Sequence, residues 1–241
     1  MQELIQSFID WFTNLGPRFY DAFIAEGRYM AYFKGLLATI EISAVAILLG
    51  VLIGVVIAVV KVLTANRKGL KWLAGICNLY ITIVRGTPLI LQIMIMANLI
   101  FTSRNANEVI IAGVCFGFNS GAYVAEIIRA GIESIDKGQT EAGRSLGLNN
   151  LSTMRHIIMP QAIRNILPAL GNEFIVLIKE SSVASVIAVS DLTKIAQYVG
   201  SRTWDVIPPY LIAAVFYLIL VIGLTKLLGR FERRLAQGDR N

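Results

Sequence analysis

The chain has 241 residues, is 56% hydrophobic and 16% charged, and carries a net charge of +6 with a mean hydropathy of +0.65. A soluble domain runs at about 45–50% apolar and about 25% charged, so these figures exclude a soluble globule, which would lack polar cover for its surface, and intrinsic disorder. The two cysteines, Cys77 and Cys115, both sit in apolar runs, which excludes a disulfide scaffold. The class that remains is an all-α integral membrane protein.

Residues 1–34 read as an N-terminal amphipathic segment. Leu4, Phe8, Trp11, Phe12 and Leu15 recur at helical spacing, as expected of a helix lying in the outer interface with Trp11 at headgroup level. A docking surface for a partner subunit is the alternative. No secretory leader is read, because the first ten residues hold Glu3 and Asp10 but no basic residue.

Uncharged runs follow at 42–60, 86–103, 109–125 and 206–225. With their flanks they approach the roughly 20 residues that a spanning helix needs. They are continuous, unlike the alternating segments of about 10 residues in a membrane barrel. A weaker run at 166–190 contains Glu173, Lys179 and Glu180.

Charge topology argues for counting it, because cytoplasmic loops carry the excess of Lys and Arg. With five spans and the N-terminus outside, 14 of the 22 basic residues face the cytoplasm and 6 face outward. The cytoplasmic set is Lys61, Arg67, Lys68 and Lys71, then Arg129, Lys137, Arg144, Arg155 and Arg164, then Lys226, Arg230, Arg233, Arg234 and Arg240. Four spans would turn either the basic tail or the basic first loop outward. The scatter of these residues follows the orientation rule, so the positive charge calls for no nucleic-acid partner. The expected architecture is a five-span domain over residues 35–233, with a basic cytoplasmic tail at 234–241.

The long cytoplasmic stretch at about 133–168 is dense in helix signals. Asp136 with Gln139 resembles an N-cap pair, and Gly147 suits a left-handed cap ending a first short helix. Asn149, Asn150 or Ser152 can cap a second helix, and Pro160 suits the first turn of a further one. A short helix with small residues at its middle is open to a close grip by another protein; an ordinary amphipathic connector is the plainer alternative.

At this point the sequence resembles a known family. Glu141-Ala142-Gly143-Arg144-Ser145-Leu146-Gly147, followed by Ile158-Met159-Pro160-Gln161-Ala162, is similar to the EAA loop of ABC-importer membrane subunits. Gly143 replaces the third alanine of that signature and Met159 replaces a leucine. The segments at 37–43, 84–92 (with Arg85-Gly86-Thr87-Pro88 and Gln92), 121–132 and 179–183 look like permeases for polar amino acids.

The resemblance covers about residues 35–233 and implies the type I importer fold. It also implies a homo- or heterodimer of permease subunits in the bacterial inner membrane, two cytoplasmic ATPase subunits that bind ATP and Mg, and an extracytoplasmic solute-binding protein. In such permeases the EAA loop supplies the helix that couples to the ATPase, which points to residues 141–147 here.

The residues themselves carry no phosphate-binding G-x-x-x-x-G-K-[ST] loop and no HExxH, CxxC or G-x-S-x-G. We therefore expect neither an enzyme nor a bound cofactor or metal in this chain. His156, the one histidine, reads as a surface or docking residue, and the two cysteines as packed thiols.

Ionisable residues at membrane depth are costly and mark functional sites. Glu173 and Lys179 are therefore candidates for a substrate pathway. They lie roughly 240° apart around a helix, so they flank a cavity only at different depths; a structural role for both is the alternative. Glu126 and Arg129 are spaced to pair on one face. Gly86 and Thr87 mark a break in the second span, a feature tolerated beside cavities. Gln92 and Asn98 beyond the break, with Asn119 and Ser120 in the third span, complete the candidates.

An anion such as Glu173 suits a cationic amino acid, and glutamine-like cargo is the alternative. A secondary transporter driven by an ion gradient would also explain buried charge, but it leaves the EAA-like loop unexplained.

Overall fold

The computed structural model describes residues 14–64, 68–99 and 107–237. Among them every regular element is helical. The chain opens with α1 (Leu15–Phe23) and a 3₁₀ turn, then runs into α2 (Tyr29–Thr64). At about 1.5 Å per residue, the 36 residues of α2 exceed the roughly 30 Å hydrocarbon thickness. The helix is continuous through Lys34 and Gly35. Of the N-terminal amphipathic set only Leu15 is described; Leu4, Phe8, Trp11 and Phe12 lie outside the described residues.

The core of the fold is the packing of α2 against α5 (Glu108–Glu133). Lipid tails are as apolar as leucine, so helices in a bilayer associate by close packing rather than by escape from water. Gly113, Gly117 and Gly121 lie one turn apart on α5 and face Val45, Leu49 and Ile53 of α2. These pairs advance together, so the two helices run parallel. The approach is close enough that a Cβ on Gly117 would stand 2.8 Å from Cβ of Leu49, and one on Gly54 would stand 2.5 Å from Cγ1 of Val124.

The second apolar run folds differently from the single span expected over 86–103. Thr87 is extended (φ −120°, ψ 147°) ahead of Pro88, so α3 (Lys71–Gly86) stops and α4 (Leu89–Leu99) restarts at a bend of 109°. The reason is local: proline lacks an N–H and pushes the preceding residue out of the helical region. The break lies at the start of α4 rather than inside it, and residues 71–86, expected partly as loop, form a helix. Through Ile81 and Val84, α3 leans on Ile57 of α2 and on Ala122 and Ala125 of α5. The far end of the expected run, residues 100–103, lies outside the described residues.

After α5 come α6 (Lys137–Ser145), α7 (Asn150–Thr153) and a π-helical turn, Met154–Ile158, which leads directly into α8 (Met159–Glu180). The weak run expected at 166–190 thus starts earlier and ends earlier. A 3₁₀ stretch, Ser181–Ile187, replaces its last part and closes on Ala188 at φ 64°.

Asp191 then caps α9 (Leu192–Thr203), accepting from the amides of Thr193 at 3.1 Å and Lys194 at 2.9 Å. The apolar runs leave these residues between the weak run and the last one, where a loop is expected. The last helix, α10 (Ile207–Gln237), continues well past residue 225 and through Arg233 and Arg234, while residues 238–241 of the expected tail lie outside the described residues.

By length and composition Ala25–Thr64, Glu108–Glu133 and Ile207–Leu235 are candidate spans, and the bent pair makes a fourth. α1 is tied to the α9–α10 turn by Arg18, which donates to Asp205 through Nε at 2.5 Å and Nη2 at 2.7 Å. This guanidinium holds the Asp205 carboxyl below its usual range.

Candidate functional site

Two regions hold the candidate residues, and α5 is the axis of the first. Asn119 and Ser120 are consecutive and therefore about 100° apart around α5. Asn119 donates to Oε1 of Gln92 on α4 at 2.8 Å. Ser120 donates to Oε1 of Glu173 on α8 at 2.8 Å. Both α5 side chains are buried, whereas Glu173 and Gln92 are half-buried. Adjacent polar residues on one helix thus each meet a different neighbouring helix.

The break between α3 and α4 is closed by its own side chains. The amide of Gln92 reaches back to the Val84 carbonyl at 2.7 Å and to Thr87 at Oγ1, 2.7 Å, and O, 3.0 Å. The Thr87 hydroxyl donates to the Ile83 carbonyl at 2.8 Å. The carbonyls of Ile83, Val84 and Thr87 therefore have side-chain partners within the chain. Gly86 is exposed beside them.

Gly86, Thr87, Gln92 and Asn119 form one local set, and Ser120 with Glu173 forms the adjoining one. Asn98 and Lys179 stand apart. Asn98 donates to the Met94 carbonyl at 2.7 Å and lines a separate cavity of about 250 Å³ with Glu108. Lys179 is exposed near the end of α8. Glu173 has a hydroxyl as its partner, and no ion pair to it is found among the described residues.

An ion-pair network that the sequence reading half anticipated lies further along α5. Glu126 pairs with Arg129 at 2.8 Å, as the spacing predicts, and Arg129 also reaches Glu133 at 2.5 Å. Arg85 from α3 joins at 3.4 Å to Glu126 and lies over the Tyr123 ring at 5.4 Å. The bend after α3 brings Arg85 there, and no linear spacing signals it.

The second region is the hairpin of α6, α7 and the π turn. Asp136 caps α6 by accepting from the Gly138 amide at 2.7 Å. Gln139 does not complete a reciprocal cap; its side-chain oxygen lies 3.5 Å from the Gln161 amide. At the other end Leu148 N–H meets the Gly143 carbonyl at 3.1 Å and Gly147 N–H meets Arg144 at 2.9 Å, with Gly147 at φ 77°. This is the double-bonded C-cap that a glycine in the left-handed region permits.

Asn149 caps α7 by accepting from Ser152 N–H at 2.8 Å. Gly143 is the buried residue of α6, and a Cβ there would stand 2.8 Å from Cγ2 of Thr153. Glu141, Ala142, Arg144, Ser145, Leu146 and Gly147 are all exposed, Leu146 by 80%. One glycine edge holds the helix down, and Glu141, Ala142, Arg144 and Ser145 face away from the hairpin.

Residues 46–237 match the family described as binding-protein-dependent transport system inner membrane component. The chain belongs to that family. It is 42% identical to a provisionally named glutamine transport system permease protein of Rickettsia typhi, over 86% of this chain and 94% of that one. It is 38% identical to the arginine transport system permease protein of Bacillus subtilis, over 86% and 93%. A crystal structure of an amino acid ABC transporter with histidines superposes with a TM-score of 0.79 at 42% identity, covering 88% of this chain and 98% of that one. The inward-facing methionine ABC transporter, at 20% identity and a TM-score of 0.73, shares the fold.

As a member of this family the chain is an inner-membrane permease. The α6 helix with its Gly147 cap and the α5-centred polar set are the two parts on which a transport reading turns.

Proposed function

We propose that this chain is the permease subunit of an ATP-driven, binding-protein-dependent importer of amino acids. It lines the translocation pathway, while a separate ATPase binds ATP and Mg. The observation that carries this reading is the α6 helix, clamped by Gly143 and the Gly147 cap yet exposed at Glu141, Ala142, Arg144, Ser145 and Leu146. A rigid helix with one anchored edge transmits a push in a way that a floppy loop cannot. Names of relatives for glutamine and arginine transport support an amino acid as cargo.

In this reading five spans cross the membrane: α2, the bent pair of α3 and α4, α5, α8 and α10. Support for α8 comes from its packing against α5, through Ala162 and Ile166 near Ile128 and, further along, through Leu177 in the cluster that holds Phe116. The N-terminus lies outside and the C-terminus in the cytoplasm, with 35–233 as the permease domain and 133–168 as its coupling loop. A second permease subunit, a solute-binding protein and two ATPase subunits complete the assembly.

Gly86, Thr87, Gln92, Asn119, Ser120 and Glu173 face the substrate route, with Asn98 and Lys179 nearer its ends. Glu173 lacks a cationic partner among the described residues, and a carboxylate at membrane depth is costly without one. A cationic side chain of the cargo answers that charge, so basic amino acids are favoured and glutamine-like cargo is the alternative.

The test is purification of the chain with its candidate ATPase, then ATP hydrolysis in proteoliposomes with the binding protein and cargo. Cargo-stimulated hydrolysis is the expected result. Transport driven by an ion gradient without any ATPase would overturn the reading. Orientation is tested by single cysteines in a background lacking Cys77 and Cys115: a cysteine at Gly147 is expected to label only from the cytoplasm.

A further inference from the structure

Trp204, in the turn between α9 and α10, is 94% exposed. It also lies in the left-handed region, at φ 55° and ψ 22°. A residue with a Cβ is strained there, and an indole bare to water forgoes the burial that a ring of its size gains. Both costs fall on one residue.

The turn around it is pinned on both sides. The Thr203 hydroxyl is shared between the Val199 carbonyl, at 3.0 Å, and the Asp205 carbonyl, at 3.2 Å. The Asp205 carboxylate is clamped by Arg18 at 2.5 and 2.7 Å. The chain then folds back on α9 so closely that a Cβ on Gly200 would stand 3.3 Å from Cα of Val206. Strain that the surroundings over-determine in this way points to a function for the residue that bears it.

The place of Trp204 along α10 names what it meets. The 20 residues 206–225 carry no charge. At about 1.5 Å per residue they cover about 30 Å, the thickness of the hydrocarbon layer. Lys226 follows at one end, and Trp204 with Asp205 precedes at the other. Ile207, Leu211, Val215, Leu218 and Ile222 recur at helical spacing through this stretch and are all exposed, as suits a face turned to lipid tails that are as apolar as they are. Trp204 therefore lies just beyond the hydrocarbon edge, at the level of the headgroups.

We infer that Trp204 is a membrane anchor, its ring seated among lipid headgroups where α10 leaves the hydrocarbon layer. Tryptophan suits that level because its ring is apolar while its N–H donates to polar groups. Arg202 and Asp205 flank it, and charges so close together are costly any deeper. The anchor fixes the depth of the α9–α10 turn and, through Arg18, that of α1. It requires α10 to be a membrane helix, which its length and composition support, and it holds for either leaflet.

The test uses the full-length chain in vesicles of phosphatidylcholine with phosphatidylglycerol. With Trp11→Phe and Trp72→Phe, Trp204 is the one remaining tryptophan. Its fluorescence is read against lipids spin-labelled on the headgroup or near the end of the acyl chain, and against iodide in the water. We expect the headgroup label to quench at least about twofold more than the deep label, and iodide to quench about half as well as it quenches free tryptophan, or less. Stronger quenching by the deep label overturns the inference, as does iodide quenching equal to that of free tryptophan. Exclusion of all three quenchers also overturns it, assigning the ring to a protein contact.

Trp204→Gly tests the anchoring itself, because glycine suits the left-handed backbone and leaves the turn unstrained. A nitroxide on Ser201→Cys, in the background lacking Cys77 and Cys115, reads the depth of the turn. Its exposure to a water-soluble relaxation agent should rise about twofold when the ring is removed, and unchanged exposure overturns the anchor. Neither measurement involves transport, so the outcome is separate from that of the importer reading.

Discussion

The α2–α5 seam and the α6 hairpin both depend on glycine, in opposite ways. In the seam, Gly113, Gly117 and Gly121 remove side chains so that two long helices touch along several turns. In the hairpin, one glycine, Gly143, removes a side chain so that a nine-residue helix can sit on Thr153, while Gly147 supplies a left-handed turn. The seam is thus made to be immobile. The hairpin is fastened at one edge and one end, and the rest of its surface is exposed, as the proposed ATPase contact requires. Rigidity in the first region and a rigid but open surface in the second are what a lever needs.

The contrast is broken most severely in the seam. Gly117→Val places atoms where Cβ of Leu49 and the Ala46 carbonyl already stand, at 2.8 and 3.1 Å from the new Cβ. Overpacking of this kind costs about 1–3 kcal/mol, and more where backbone must move. We expect a large loss of folded protein, measured by yield and by a thermal scan in detergent.

In the hairpin, Gly147→Val should spare insertion but strain the cap by about 1–2 kcal/mol. Transport and retention of the ATPase on purification should both fall. Normal values for both at normal expression would separate the cap from coupling. Glu141→Lys, on the exposed face, should weaken ATPase retention without any change in thermal stability.

A fourth substitution sharpens the comparison at the polar set between the two regions. Glu173→Gln keeps a hydrogen-bonding group for Ser120 while removing the charge. Uptake of cationic amino acids should fall selectively in the reconstituted complex. An unchanged substrate profile would leave Glu173 a purely structural role.

The smallest expected effect lies at the clamp between α1 and the α9–α10 turn, Arg18 with Asp205. The carboxyl is held below its usual value by the guanidinium, so its contribution is present above the unfolded carboxylate pKa of about 3.9 and is lost as pH falls through the lowered folded value. Asp205→Asn should therefore cost a slight and constant decrement between about pH 5 and 8. The decrement should vanish only in strong acid, as read by melting temperature against pH.

Helix existence was legible in the sequence because each long apolar run must satisfy its backbone internally in lipid. The caps at Asp136 and Gly147 were legible because they are local. Glu126 with Arg129 was legible for the same reason, being a pair within one turn of a helix.

Tertiary structure alone decided the rest. Pro88 announces a break, but the 109° turn that carries Arg85 to Glu126 depends on where α3 leans against α2 and α5. Asn119 and Ser120 are neighbours in the chain, yet only the placement of α4 and α8 on either side of α5 sends one to Gln92 and the other to Glu173. Patterning along a chain reports what each residue can bury or bond. Which partner it meets is set by the packing of helices far apart in sequence, and that information has no local signature.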